Sequence, residues 1–513
     1  MRPYELGKVA HYTNFCEMTE EIGKTNKPAV TWYTRQGEEI TKTYKELSAD
    51  ARAFAGTVAA SGLIGKHIAL AGPNCYEWIV AFLGITSAGA VAVLIDTDQS
   101  DESINMMIMR ADAAALIAPD DILDLLQVGE GKLLRLSLDM DSMAEAEEKY
   151  APVALTQPEP DATAVIAFTS GTTSFAKPVM LSQRGLLRNA SDSVAMVEPT
   201  DRVFTSLPFF HTYGLTCAVL GNLIFGSHLC INGDIRTTFR DILAFDAETL
   251  MAVPLIAETV KNRLEAEGEK LRFKKQRTAR KEEYFGRLTY IVCGGAHLSK
   301  KTAQQLKRYG ILVLQGYGIT ECSPLVSANR RLACRLDSVG QLLPGVEVKF
   351  DEGEILVKSP GLMQGYYNDS ALTAEAMDNG WFKTGDMGYM DKRGHLYITG
   401  RKKNLIVLKN GKKIAPEEIE QKLADIPIIK DVLVYGAASG SSADDVKLTV
   451  MVYPDPTVAM GMEHYQILGE LQKYVDDINK TLPSYKQIQM INICENEMQK
   501  TSTRKIKRQS MGV

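Results

Sequence analysis

A cluster of small hydroxyl side chains followed by a lysine lies between Val165 and Ser182, VIAFTSGTTSFAKPVMLS. The apolar, β-favouring Val165-Ile166-Ala167-Phe168 gives way to Thr169-Ser170-Gly171-Thr172-Thr173-Ser174, with Lys177 just beyond. A strand feeding a loop of small hydroxyl donors suits a phosphate group. Hydroxyls and backbone N–H groups converge on the anion, and glycine lets the backbone approach closely. Ser182 is a suitable cap for a following helix. The pattern is not a Walker A loop, which has Gly directly before the Lys and Ser/Thr directly after it. Ala176 and Pro178 stand there instead. Taken alone, the stretch reads equally well as a Ser/Thr-rich surface loop.

Three further stretches carry chemistry. Gln315-Gly316-Tyr317-Gly318-Ile319-Thr320-Glu321 follows a predicted strand and offers an aromatic face, a close backbone and a carboxylate suited to Mg²⁺. Trp381-Phe382-Lys383-Thr384-Gly385-Asp386 puts Asp386 in a predicted turn, where an exposed carboxylate can take ribose hydroxyls. Lys500-Thr501-Ser502-Thr503-Arg504-Lys505-Ile506-Lys507-Arg508 is a basic stretch close to the last residue. Each has a structural explanation when taken singly.

The elements that must position these residues alternate in type. Thr43 with Glu46 three residues on forms a capping box, opening a helix toward Ala60. Lys66–Ala71 and Val91–Ile95 read as strands around a helix over Glu77–Ala88. Further strands are expected at Ala114–Ala118, Val203–Leu207, Met251–Pro254, Leu288–Cys293 and Ile311–Gln315. Strand–helix–strand units of this length imply parallel sheets covered by helices. The basic run in Lys270–Glu283 reads as a solvated helix or insertion, or as an anionic-membrane or CoA-phosphate contact. From about residue 340, short strands at Glu354–Val357, Gly365–Tyr367 and His395–Ile398 suggest a small β-rich module. A compact α/β tail follows, its helix opening at Pro416 with acids in the first turn.

Composition bounds the class. A chain of 513 residues exceeds one compact core, and 24% charged with 45% hydrophobic residues is ordinary for a globular enzyme. A net charge of −5 gives no reason to expect nucleic-acid binding. The eight cysteines show no zinc spacing and read as reduced thiols of a cytoplasmic protein. The N-terminal residues contain no apolar signal core, and no apolar run is long enough to cross a bilayer. Peripheral membrane contact stays open, and oligomeric state has no sequence signal.

In order, TSGTTSFAKPVMLS, LPFFHTYGL, CGGAHL, QGYGITE, WFKTGD, GRKKNLIVLKNGKKIAPEEIE and KTSTRKIKR resemble the motifs of the adenylate-forming (AMP-binding) superfamily, across essentially the whole chain. The last two look most like long-chain fatty acid–CoA ligases. The resemblance implies an α/β fold with a large N-terminal domain, 1–400, of packed sheets with flanking helices. Its 340–400 region is the β-rich subdomain, and 401–513 is a small mobile α/β C-terminal domain hinged near Lys403. It implies that Thr169, Ser170, Gly171, Thr172, Thr173 and Lys177 hold the ATP phosphates, and that Thr320 and Glu321 contact phosphate and Mg²⁺. Gly294, Gly295, Ala296, Tyr317 and Gly318 match the nucleotide-side walls. His211 and Gly316 match the acyl pocket, Asp386 and Arg401 the ribose pair, and Lys505 the lysine of adenylation.

The implied chemistry suits these residue types. A carboxylate with a reference pKa of about 4 is already ionised at neutral pH and needs no general base to attack the α-phosphate. It needs relief from anion–anion repulsion, which Mg²⁺ on Glu321 and the Lys505 ammonium supply. Pyrophosphate leaves, the C-terminal domain rotates, and the thiol of CoA or of a carrier protein's phosphopantetheine arm attacks the acyl-adenylate. The expectation is an ATP-dependent acid–thiol ligase of fatty acid metabolism, preferring medium or long chains. A degenerate homologue that binds ligands without turnover is the rival reading. It rests on Ser174, Ala176 and Pro178, where the family's phosphate loop continues Gly-x-Pro-Lys-Gly.

Overall fold

The computed structural model describes residues 7, 9–34, 36–126, 133–149, 155–169, 176–265, 271, 273–408, 412–424, 426–438, 446–500, 506 and 508–511. The chain forms two compact units, one of 1–298, 302–347 and 357–382, the other of 299–301, 348–356 and 383–513.

Among the described residues the first unit contains two large sheets. One has seven strands, in the order Gly365–Tyr366, Pro178–Ser182, Thr163–Phe168, Val91–Ile95, His67–Ala71, Ala115–Ala118, Leu134–Ser137. The other has nine, in the order Gln341–Leu342, Leu325–Ala328, Leu312–Gly318, Tyr290–Cys293, Thr249–Ala252, Arg202–Thr205, His228–Ile231, Pro28–Tyr33, Glu39–Thr43. The central strands of each sheet pair in parallel and are apolar along most of their length, as parallel strands covered on both faces must be, whereas Pro178–Ser182 and Leu325–Ala328 pair antiparallel with their neighbours.

A helical layer lies between the sheets. Tyr76–Ser87 is buried on almost every side and packs on strands of the seven-stranded sheet. Its Trp78 stacks on Phe82 at 5.7 Å, and Phe15 meets Phe82 edge-on at 5.4 Å. Gln183–Val197 touches strands of both sheets. Ser182 caps it as expected, its side chain accepting from the Gly185 N–H, and Gln183 is wholly buried, bonding Phe15 and Thr86 backbone. Each large aromatic buried here contributes roughly 1.5–3 kcal/mol. The capping box of Thr43 and Glu46 is present and opens the helix Tyr44–Ala60.

Two expectations change. Gly365–Tyr366 does not belong to a β-rich module. It pairs with Val179 and Met180 as the edge of the seven-stranded sheet, because the Gln364 and Tyr367 N–H groups donate to Met180 and Pro178 carbonyls. The basic run forms the helix Lys274–Phe285, but only partly as a solvated face. Arg280 and Lys281 are buried, and Lys281 Nζ donates to the Gly286 carbonyl at 2.8 Å, closing the helix C-terminus.

In the second unit, residues of Glu347–Asp351, Glu354–Lys358, Trp381–Met390 and Leu396–Arg401 build an antiparallel sheet. The strands Ile429–Ala438, Val446–Pro454 and Met490–Ile493 form another, covered by helices Pro416–Leu423 and His464–Thr481. Pro416 sits at the first helical position, where its missing N–H costs nothing. No helix among the described residues is long and apolar enough to cross a membrane.

Candidate active site

The strand run Val165–Phe168 continues as an antiparallel pair with Pro178–Ser182, so residues 169–177 connect two hydrogen-bonded neighbours. Pro178, which lacks an N–H, is tolerated because it begins its strand. At the base of the connection the Thr169 N–H donates to the Lys177 carbonyl (3.1 Å), and the Lys177 N–H donates to Thr169 Oγ1 (3.3 Å). Arg110 Nη1 holds the Ala176 carbonyl at 3.0 Å. Ser170, Gly171, Thr172 and Thr173, with Ser174, lie outside the described residues.

Lys177 Nζ sits 5.2 Å from the ring centroid of Tyr366, and the Tyr366 hydroxyl donates to Glu321 Oε1 at 2.9 Å. Glu321 belongs to the 3₁₀ turn Thr320–Cys322 that follows the strand Leu312–Gly318, and its carbonyl accepts from the Met363 N–H. Burial, reinforced by the Glu321 charge, pushes the Tyr366 phenol far above its usual range, so it is a donor at every physiological pH. Three segments distant in sequence thus meet on one aromatic side chain. Tyr366 is absent from the set suggested by sequence, as is Tyr213.

A second group of predicted residues gathers at the carboxyl ends of neighbouring parallel strands, the usual place for ligands in open α/β sheets. Strands Arg202–Thr205, Thr249–Ala252, Tyr290–Cys293 and Leu312–Gly318 are adjacent, and Cys293 is in register with Gln315. His211, Gly294, Gly295, Ala296, Gly316 and Tyr317 therefore emerge from one end of the sheet or just beyond it. His211 Nδ1 accepts from the Tyr213 N–H at 3.2 Å. Tyr213 opens the π-helix Tyr213–Leu220, and its hydroxyl donates to the Val292 carbonyl at 3.0 Å. A Cβ on Gly294 would lie 3.1 Å from Tyr213 Cζ, so this glycine packs flat against the phenol ring. A Cβ on Gly318 would approach the Pro324 carbonyl oxygen to 2.5 Å, so only glycine fits there. The sequence signal for Tyr213 is its place two residues after His211; Tyr366 has none beyond a strand-like dipeptide.

Glu321 offers one hard oxygen donor group beside the Thr320 hydroxyl. Among the described residues no three His, Cys, Asp or Glu side chains form a metal cage. Magnesium commonly takes one or two protein carboxylates and completes its shell with substrate phosphate and water. The residues therefore fit a magnesium ion delivered with a nucleotide, not an autonomous metal centre.

In the second unit Asp386 and Arg401 face each other in register across antiparallel strands, with Arg401 Nε 2.8 Å from Asp386 Oδ1. The turn expected for Asp386 is corrected. The residue lies inside the strand Trp381–Met390 and is 4% exposed, its carboxylate paired with the opposite guanidinium rather than open to water. Lys403 is exposed in the short turn Lys402–Asn404. Lys505 lies outside the described residues; Lys500 and Ile506 on either side of it form a β-bridge. The eight cysteines form no disulfide, and burial raises the thiols of Cys217, to about 12, and of Cys293. Neither is activated as a nucleophile.

A lysine at the root of a Ser/Thr-rich connection, glycines and a tyrosine at the carboxyl ends of adjacent parallel strands, and a carboxylate suited to magnesium fit a nucleotide-dependent enzyme. The chain belongs to the AMP-binding enzyme family: the family's model matches residues 21–367, and that of the AMP-binding enzyme C-terminal domain matches 403–512. Long-chain-fatty-acid–CoA ligase FadD15 of Mycobacterium bovis is 27% identical over 446 residues, covering 74% of this chain and 73% of the relative. Among solved structures, the anthranilate CoA ligase AuaEII in complex with anthranoyl-AMP superposes with a TM-score of 0.82 at 19% identity, over 98% of this chain and 97% of that one. MenE of Bacillus subtilis, an o-succinylbenzoate CoA synthetase in complex with ATP and magnesium ion, does so with 0.79 at 22%, over 98% and 99%.

Proposed function

We propose that the protein activates a carboxylic acid with ATP to an acyl-adenylate and transfers the acyl group to CoA. The single observation that carries this reading is the Lys177–Tyr366–Glu321 constellation in a chain of the AMP-binding enzyme family. A cation at the root of the phosphate loop and a carboxylate at the strand end are the two charges a polyphosphate with its metal requires.

Thr169 and Lys177, with Ser170, Gly171, Thr172 and Thr173 between them, bind the β- and γ-phosphates. Thr320 and Glu321 hold the magnesium ion, which when bound neutralises phosphate charge. Gly294, Gly295, Ala296, Tyr317 and Gly318 flank the adenine, and Asp386, oriented by Arg401, accepts from the ribose hydroxyls. His211 and Gly316 line the acyl side. Lys505 places its ammonium beside the α-phosphate during adenylation and withdraws when residues 401–513 turn about Lys403. The acid is a medium- or long-chain fatty acid, a preference supported by likeness to long-chain-fatty-acid–CoA ligases. Structural likeness to ligases of aromatic acids makes chain length the point to test.

Hydroxylamine trapping over fatty, aryl and amino acids, with and without CoA, reads the acid and the first half-reaction together. Fatty hydroxamates formed with ATP, and acyl-CoA formed on adding CoA, are the expected result. ATP binding without hydroxamate from any acid would mean a ligand-binding homologue. Lys505→Ala should abolish adenylation and spare thioester formation from supplied acyl-adenylate; equal loss of both would refute the two-position role of this lysine.

A further inference from the structure

We propose that Tyr366 is a positioning residue that aims the Glu321 carboxylate at a magnesium ion carried by ATP while keeping Lys177 apart from it. The proposal rests on Glu321 being the metal carboxylate.

Tyr366 is firmly placed. Its strand residues pair with Val179 and Met180, the strand that leaves the phosphate loop, and its N–H donates to Thr373 Oγ1 at 2.9 Å. The next residue is anchored separately, the Tyr367 hydroxyl donating to Asp112 Oδ2 at 2.9 Å and its ring meeting His67 edge-on at 4.9 Å. The Tyr366 side chain is 3% exposed, so its hydroxyl has little access to water and its bond to Glu321 Oε1 is the polar contact that satisfies it.

The consequence is chemical. With Oε1 engaged by the phenol, the Glu321 carboxylate is fixed in orientation, and Oε2 is the oxygen left for a metal. Groups that hydrogen-bond to a metal-binding carboxylate set its geometry and affinity in this way. The ring face meanwhile carries the Lys177 ammonium at 5.2 Å. Among the described residues no ion pair joins Lys177 to Glu321. A neutral aromatic spacer thus stands between opposite charges that would otherwise neutralise each other. One charge is kept for phosphate and the other for the metal. An ordinary core tyrosine would need one buried acceptor; it would not need two charged partners, one from each side of a phosphate site.

The test is calorimetric titration of ATP into the full-length protein at graded Mg²⁺ without acid, so that no turnover occurs. Tyr366→Phe keeps the ring and removes only the donor. It should raise the Mg²⁺ concentration that half-saturates the enhancement of ATP binding by about tenfold, and leave ATP binding in EDTA and the melting temperature near wild type. Glu321→Gln should remove most of the Mg²⁺ dependence. An unshifted Tyr366→Phe beside a shifted Glu321→Gln overturns the role of Tyr366 alone. An unshifted Glu321→Gln overturns the metal reading and this proposal with it. Should Tyr366→Phe fail to fold, Glu321→Asp draws the carboxylate a methylene back from the phenol, and the same rightward Mg²⁺ shift is expected. An unchanged midpoint in that variant overturns the proposal.

Discussion

Gly318→Ala is the sharpest test of how the strand end holds its carboxylate. The added methyl would sit 2.5 Å from the Pro324 carbonyl oxygen and 2.9 Å from its carbon. That oxygen accepts from the Ile319 N–H at 2.9 Å, and this bond closes the turn carrying Thr320 and Glu321. Ordinary contact begins at about 3.5 Å, so the Pro324 carbonyl must retreat by close to an ångström, lengthening or breaking the bond. Both obstructing atoms are backbone, and no side-chain rotation relieves them. Overpacking of this kind costs about 1–3 kcal/mol, and the displacement falls on the segment that presents Glu321. Gly56→Ala is the matched control. Gly56 lies in the helix Tyr44–Ala60, and a methyl added there would meet nothing within 4 Å. The same change at that position should therefore stabilise by up to about 1 kcal/mol. Thermal denaturation should move in opposite directions for the two variants, and ATP–pyrophosphate exchange should drop at least about tenfold for Gly318→Ala alone. A Gly318→Ala protein with wild-type melting and exchange would refute the close-approach account.

Arg401→Ala leaves the Asp386 carboxylate in its strand without the opposite cation. Because Arg401 itself is 43% exposed, solvent screens the pair, and a loss of about 1–3 kcal/mol is expected rather than that of a fully buried pair. In a denaturation double-mutant cycle Asp386→Asn should recover part of it; strictly additive losses would contradict the coupling. The His228 imidazole accepts or donates at 2.7 Å to Thr31 Oγ1 and is pushed down to about 4, first by burial and then by the Arg202 charge. Between roughly pH 6.5 and 4 the unfolded chain therefore binds a proton that the folded chain refuses, and stability falls as pH drops through that window. Melting temperatures from pH 7 to 4.5 should decline less steeply for His228→Gln than for wild type; parallel curves would refute the assignment.

Much of the architecture follows from short-range signals. Thr43 and Glu46 reciprocally satisfy backbone donors three residues apart, Pro416 begins a helix, and Val91–Ile95 forms the strand its apolar run predicts. Each outcome depends on neighbours a few positions away, which the sequence displays directly. The order of motifs likewise identified the family, because residue types at set spacings need no coordinates to be matched.

Three outcomes were decided at longer range. Arg280 and Lys281 look like a solvated basic face, yet the helix turns them inward, where one ammonium finds a backbone carbonyl. Asp386 looks like an exposed turn residue, but strand pairing sets Arg401 opposite and makes burial of the carboxylate tolerable. Tyr366 looks like part of a small β module, but an edge position next to Val179 carries it under Lys177 and against Glu321. The inventory of charges, hydroxyls and glycines, and the local elements that bear them, can be read from residue order alone. Which distant side chains share a buried hydrogen bond or a charge partner is set by how the strands and helices pack. That choice depends on sheet order and register between segments far apart in the chain, and no local propensity encodes it.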